Sequence, residues 1–322
     1  MTYTIDGTAQ HFVETNGVTL SVHEAGTGPA VVFCHGFPEL AYSWRAQLPV
    51  VAAVGFRAIA PDQRGYGASS RPPEVTDYDM AHLAADLVGL LDAEGIERAV
   101  FVGHDWGGII VWQMPLLHPD RVAGVVGVNT PYIPRLPIPP TDAFRMLGGE
   151  DHYIVGFQQP AIPEAILSRD VPRLFEALMR GGISPEQVAA AAEATGGGSP
   201  FERVLDAPLL GEPLLDEHDL AVYVDAFNET GFTGGVNWYR NFDRNWAATP
   251  EQDGAHIDGV PCLMITAEWD PVLVPALAAG MPDLVADLEM HELPHCGHWT
   301  PTERSADLNA LLVDWLTRRF PT

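Results

Sequence analysis

The sequence predicts an α/β domain: a mostly parallel central sheet covered by helices on both faces, interrupted by an inserted helical cap. Three observations predict it. The apolar runs Ala30–Cys34, Ala99–Val102 and Val122–Val128 are continuous rather than alternating, as strands buried on both faces must be. Helix-spaced runs separate them, so strand and helix alternate. After Asn129 this alternation stops, and no clear strand recurs until Cys262–Thr266. A long interval is therefore inserted into one sheet. The boundaries read as a core over residues 1–131 and 251–322 and a cap, or lid, over 132–250.

In chain order, His11–Asn16 and Val18–Glu24 flank Asn16-Gly17, a hairpin turn signal. Ala30–Cys34 is a buried strand that ends in His35-Gly36-Phe37-Pro38-Glu39. A helix is expected over Tyr42–Val54, stopped by Gly55, followed by a strand over Arg57–Ala60 and the loop Asp62-Gln63-Arg64-Gly65-Tyr66-Gly67. Asp79–Glu94 repeats Met80, Leu83, Leu87, Leu90 and Leu91 at helical spacing and stops at Gly95. Ala99–Val102 leads into Gly103-His104-Asp105-Trp106-Gly107 and a helix from Gly108 to Leu117, followed by the strand Val122–Val128. The inserted interval opens with five prolines in residues 131–140. It is helical in pattern, apart from a loop expected at Ala189–Pro200, where an alanine run meets Gly196-Gly197-Gly198-Ser199. Strands return at Cys262–Thr266 and Asp287–Leu293, and a helix over Glu303–Arg319 closes the chain.

Composition removes several function classes. The net charge of -26 argues against nucleic acid and anionic membrane surfaces, which need a cationic face. All 17 basic residues are arginine, so lysine Schiff-base chemistry, lysine-anchored pyridoxal phosphate and a Walker A phosphate loop are excluded. No apolar run is long enough to span a membrane, and Met1–Gln10 lacks the features of a secretion signal. Cys34, Cys262 and Cys296 lie far apart, which reads as reduced thiols in a cytoplasmic protein rather than a disulfide framework or metal site. Oligomeric state leaves no mark on the sequence, and a homodimer is compatible with it.

The chemistry centres on Asp105. A small-x-nucleophile-x-small pattern between strand and helix is a nucleophile elbow, whose glycines allow a turn sharp enough to lift the central side chain into a cleft. A carboxylate there suits attack on a saturated carbon and needs no base to activate it. The plain alternative is an Asp that caps the following helix. An elbow nucleophile also needs a histidine base and an acid to orient it, in the chain order nucleophile, acid, histidine. The strand Cys262–Thr266 ends in Glu268-Trp269-Asp270-Pro271, and Asp287–Leu293 is followed by Pro294-His295-Cys296-Gly297-His298-Trp299. Asp270 and His298 fit those places, with Glu268 and His295 as fallbacks.

With these motifs in view, the chain resembles the soluble epoxide hydrolases of the α/β-hydrolase fold from about Glu14 to Trp315. The resemblance implies an oxyanion hole made by the backbone N–H groups of Phe37 and Trp106, and a cis peptide at Phe37-Pro38. It places two tyrosines over the nucleophile: Tyr153 in Tyr153-Ile154-Val155-Gly156-Phe157-Gln158-Gln159-Pro160, and Tyr239 in Asn237-Trp238-Tyr239-Arg240-Asn241. His35, Pro38, Trp238 and Trp299 are expected at the substrate pocket. Gly156 stands where relatives often carry an aromatic, which implies a wider pocket. The implied reaction takes an epoxide and water to a vicinal diol, without cofactor or metal. A haloalkane or haloacid dehalogenase would share the Asp nucleophile, but such enzymes usually carry Asn in place of Phe37 or Arg in place of Trp106. A non-catalytic small-molecule receptor should have lost part of the triad, and a serine esterase needs Ser at the elbow.

Overall fold

The computed structural model describes residues 2–195 and 200–321. Its first strands are β1 (Ala9–Thr15), β2 (Val18–Ala25), β3 (Ala30–Cys34), β4 (Arg57–Asp62), β5 (Ala99–His104) and β6 (Val122–Val128). A two-residue pair, β7 (Arg180–Gly181) and β8 (Glu212–Pro213), lies apart from the main sheet, which resumes with β9 (Cys262–Ala267) and β10 (Leu288–Leu293). The main sheet has the order β1-β2-β4-β3-β5-β6-β9-β10. Its β1, β2 and β4 pair antiparallel, and every later neighbour pairs parallel. Asn16 (φ 43°) and Gly17 (φ 75°) both take positive φ in the first hairpin, as its tight turn requires.

The register explains where function can sit. Cys34 lies opposite Gly103, His104 opposite Val128, Val128 opposite Ile265, and Ala267 opposite Leu293. The carboxyl ends of β3, β5, β6, β9 and β10 are therefore adjacent, and the loops leaving them share one edge. That edge is where open parallel sheets bind ligands.

Helices α1 (Leu48–Ala53), α2 (Met80–Ala93) and α3 (Trp106–Leu117) cover the sheet. The side chain of Asp79 caps α2 by accepting from the His82 N–H at 3.1 Å, and its Leu83, Leu87, Leu90 and Leu91 are buried. The expected helix over Tyr42–Val54 is broken into a 3-10 turn, Ala41–Trp44, and α1. Pro49 is the reason: it is tolerated in the first turn of α1 but not inside a continuous helix.

Between β6 and β9 the described residues form α4 (Pro140–Gly148), α5 (Tyr153–Gly156), α6 (Ile162–Leu167) and α7 (Val171–Leu178). They continue as α8 (Pro185–Thr195), α9 (Pro200–Asp206), α10 (Glu217–Thr230), α11 (Thr233–Arg240) and α12 (Phe242–Ala248). The alanine run expected in a loop is helical, in α8, consistent with the high helix propensity of alanine. Gly196-Gly197-Gly198-Ser199 lies outside the described residues. The β7–β8 pair was not expected, since two-residue strands leave no periodicity to read. The chain finishes with α13 (Met281–Leu284), α14 (Thr300–Glu303) and α15 (Ser305–Arg319), the expected closing helix, which starts after Arg304 (φ −126°, ψ 42°). Among the described residues, no helix is long and apolar enough to cross a membrane.

Candidate active site

Asp105 sits between β5 and α3 with φ 50° and ψ −121°, a strained conformation for a side chain other than glycine. Its surroundings fix it there. A Cβ on Gly103 would lie 2.3 Å from the Gly107 carbonyl oxygen, one on Gly107 would lie 1.9 Å from that of Cys34, and one on Gly36 would lie 2.4 Å from the Asp105 Cβ. Only glycine fits at these positions. Asp105 makes no side-chain cap on α3. Its Oδ1 accepts from the Phe37 N–H at 2.8 Å, and the nearby Trp106 N–H also favours its charged form. The capping alternative therefore does not describe it. The Phe37-Pro38 peptide is cis, and the Thr130 hydroxyl donates to the Asp105 carbonyl at 2.8 Å.

His298 is the nearest base. Its Nε2 lies 3.7 Å from Asp105 Oδ2, too far for a direct hydrogen bond, and its Nδ1 lies 2.9 Å from Asp270 Oδ2. Asp270 Oδ1 accepts from the N–H groups of Val272 (2.8 Å) and Leu273 (2.9 Å). The fallback residues are elsewhere: Glu268 Oε2 accepts from the His295 N–H, and both side chains are exposed.

Three residues of this network were not singled out from the sequence. Asn129, at φ 61° after β6, donates from Nδ2 to Asp270 Oδ2 (2.7 Å) and to the His298 carbonyl (3.1 Å). Asn tolerates the left-handed region better than other non-glycine residues, so an Asn ending a strand was the available signal. The others are Glu39 and His104, inside motifs quoted above without a role. Both nitrogens of His104 face acceptors, Glu39 Oε2 at 2.8 Å and the His298 carbonyl at 2.7 Å, while Glu39 Oε2 also accepts from the Gly36 N–H at 2.8 Å. Burial pushes the Glu39 carboxyl up, but His104 and the Gly36 N–H bring it down to about 2.

The charges on the reacting side depend on one another. Burial raises the Asp105 carboxyl, opposed by the His298 and His104 charges and the Phe37 and Trp106 N–H groups. For Asp270, burial is overcome by the charge and hydrogen bond of His298, and its carboxyl falls well below the usual range. Burial works against the His298 cation, but Asp270, then Asp105 and Glu39, carry it up to about 9.

Tyr153 of α5 and Tyr239 of α11 face each other, with ring centroids 5.9 Å apart. Tyr239 packs edge-on against Phe37 (5.4 Å) and Trp106 (5.1 Å), the two residues whose N–H groups hold Asp105. Burial first and the Asp105 charge second raise both phenols, so each keeps its proton through neutral pH. A Cβ on Gly156 would meet nothing within 4 Å, leaving open space one turn from Tyr153. The other expected pocket residues are buried, and Trp299 packs against His298 with ring centroids 4.7 Å apart. His35 is fully buried, with Nδ1 2.9 Å from the Gly36 carbonyl and Nε2 accepting from the Gln63 N–H at 3.0 Å. Pro38 is buried; Trp238 donates to the Arg64 carbonyl at 3.2 Å, and Trp299 donates to that of Leu178. Among the described residues, His11, Glu24 and Glu94 are spaced to hold a cation, but they lie off this site and Arg57 Nη2 already contacts both carboxylates, at 2.6 and 2.5 Å.

Residues 29–158 match the family model of the alpha/beta hydrolase fold. The chain is 46% identical over 314 residues to epoxide hydrolase A of Mycobacterium tuberculosis, covering 96% of this chain and 97% of that protein. It is 40% identical over 304 residues to bifunctional epoxide hydrolase 2 of Sus scrofa, covering 93% of this chain but 53% of that protein, about half its length. The crystal structure of epoxide hydrolase A from Mycobacterium thermoresistibile superposes with a TM-score of 0.89 at 43% identity, over 96% of this chain and 98% of that one.

The electrostatics make His298 an imidazolium in the free protein at neutral pH. Titrating ring-labelled histidine by NMR should give His298 a midpoint near 9, and Asp270→Asn should lower it, because the carboxylate stabilises the cation. A midpoint near 6.5 in the unaltered protein would contradict this electrostatic picture.

Proposed function

Since the chain belongs to the epoxide hydrolases of the α/β-hydrolase fold, we propose that it opens an epoxide on Asp105 and releases the vicinal diol by hydrolysing the resulting ester. The observation that carries this reading is the buried Asp105 carboxylate, with Oδ1 held by the Phe37 N–H at 2.8 Å and Oδ2 3.7 Å from His298 Nε2.

In the first step Oδ2 attacks a ring carbon, the C–O bond breaks, and its electron pair goes to the ring oxygen. An alkoxide is a poor leaving group unless its charge is met as it develops. Tyr153 and Tyr239, protonated and in a buried site, supply hydrogen bonds and a proton there. Ester formation neutralises Asp105 and removes one of the charges that hold His298 protonated, so its pKa falls below about 9. The His298 proton returns to the phenol pair through solvent, leaving a neutral base.

In the second step His298, oriented by Asp270, takes a proton from water, which attacks the carboxyl carbon of Asp105. Charge develops on the oxygen facing the Phe37 and Trp106 N–H groups, each donor typically worth about 3–4 kcal/mol. Collapse expels the diol oxygen, which takes the proton from His298, and the acid left at Asp105 then passes the second water proton to His298, restoring the carboxylate and the imidazolium. The helices of residues 132–250 act as a lid that carries both phenols and keeps bulk water from the ester.

A dehalogenase would need a halide donor, and the buried indole N–H of Trp106 makes no hydrogen bond of ordinary geometry. The facing phenols and the epoxide hydrolase relatives favour the epoxide. A turnover panel of aromatic and aliphatic epoxides beside haloalkanes, scored for diol and halide, should yield diol alone. Styrene-like, fatty-acid, terpene and secondary-metabolite epoxides all fit the chemistry.

Asp105→Ala should abolish diol formation, and His298→Gln should accumulate an adduct on Asp105 visible by intact mass. Full turnover by either variant would defeat its assigned role. Tyr153→Phe and Tyr239→Phe should each slow alkylation by about tenfold or more while ester hydrolysis changes less. Unchanged pre-steady-state alkylation in both would place the donors elsewhere.

A further inference from the structure

The loop that carries His298 is held from two sides. The core holds the carbonyl of His298 itself, through His104 Nε2 at 2.7 Å and Asn129 Nδ2 at 3.1 Å. The insertion holds the residues on either side of it. The Gly297 N–H donates to Glu303 Oε2 at 2.9 Å, and the other oxygen of that carboxylate accepts from the Gly182 N–H at 2.8 Å. The Trp299 indole N–H donates to the Leu178 carbonyl.

Leu178–Gly182, which runs from the end of α7 through β7, is itself braced. Gly181 pairs with Glu212, the Leu214 N–H donates to the Met179 carbonyl at 3.0 Å, and Arg180 donates to the Leu210 and Gly211 carbonyls. The Glu303 carboxylate fills the gap between this hairpin and the base loop. A Cβ on Gly181 would lie 2.8 Å from Glu303 Cδ, and one on Gly297 would lie 3.0 Å from Oε2.

We propose that Glu303 is a positioning residue that locks the His298 loop to the Leu178–Gly182 hairpin, so that hydrolysis of the ester, but not ring opening, depends on where that part of the insertion sits. This rests on the two-step reading above. Ring opening needs the Asp105 carboxylate and the phenols, and none of these hangs on the Glu303 bridge. Hydrolysis needs His298 Nε2 to face a water that in turn faces the Asp105 carboxyl carbon, a geometry that fails with displacements of about 1 Å. A carboxylate suits the bridge because it offers an acceptor to each of two N–H donors on separate segments. An amide offers one acceptor and would turn an NH₂ toward the other N–H.

The test uses the full chain with styrene oxide as probe, following alkylation by stopped-flow fluorescence and ester decay by quench and intact mass. In Glu303→Gln we expect alkylation within about twofold of the unaltered enzyme and ester hydrolysis slower by about tenfold or more. The ester then accumulates on Asp105, and kcat and KM fall together. Glu303→Asp, which keeps both acceptors, should recover part of the loss. Unchanged hydrolysis in a folded Glu303→Gln protein, or equal slowing of both steps, would overturn the proposal. If both Glu303 variants fail to fold by circular dichroism, Arg180→Met, which loosens the hairpin from the Leu210 and Gly211 carbonyls, carries the same expectation and the same overturning results. An unaltered enzyme that never shows an ester on Asp105 would sink the two-step reading and this proposal with it. An ester that forms normally and decays at the normal rate in Glu303→Gln would sink only the role of Glu303.

Discussion

Burying the Asp105 carboxylate is the constraint on which the rest of the structure depends. An isolated carboxylate out of water is costly, and it stays charged only if hydrogen bonds and nearby positive charge replace the lost hydration. Here the replacements are the Phe37 and Trp106 N–H groups, the N-terminus of α3 and the His298 imidazolium. Each needs the chain in a particular place. The Phe37 N–H requires the loop after β3 to cross directly over the elbow, which leaves no room for a side chain at Gly36. The α3 N-terminus requires the positive φ of Asp105 and the close approach of Gly107 to β3. One charge thereby ties together the loops at the carboxyl ends of the neighbouring strands β3 and β5 and of the edge strand β10.

In the proposed two-step reaction, compensation of that charge would also set the order of events: an ionised Asp105 helps hold His298 protonated, and an ester at Asp105 would weaken that hold and release the base. The buried Glu39–His104 pair grips the His298 backbone through His104 Nε2, which gives the loop a rigid footing. Asn129 grips it from the other strand end and shares Asp270 with it.

Much of this was legible in the sequence, for identifiable reasons. The buried parallel strands are continuous apolar runs, so their positions and C-terminal ends could be read directly, and the residues just after those ends fell into a recognisable chemical order. Asp105, Asp270 and His298 came from that order, and Tyr153 and Tyr239 from the quoted motifs. What could not be read depends on long-range contact. Glu39 and His104 are 65 positions apart and meet only because β3 and β5 are neighbours. Glu303 reaches Gly182 across 121 positions, through a hairpin too short to leave a pattern. The break before α1 follows local rules, since Pro49 near the start of a helical run can mark a late start. The alanine run of α8 is helical by its own propensity, although glycines follow it.

Whether water attacks the enzyme's own carboxyl carbon rather than the epoxide is tested most directly by a single turnover in ¹⁸O-water with enzyme in excess over styrene oxide. Heavy oxygen should enter the side chain of Asp105, found by mass spectrometry of its peptide, while the diol of that first turnover stays unlabelled. Heavy oxygen in the first-turnover diol, with Asp105 unlabelled, would contradict attack at the carboxyl carbon.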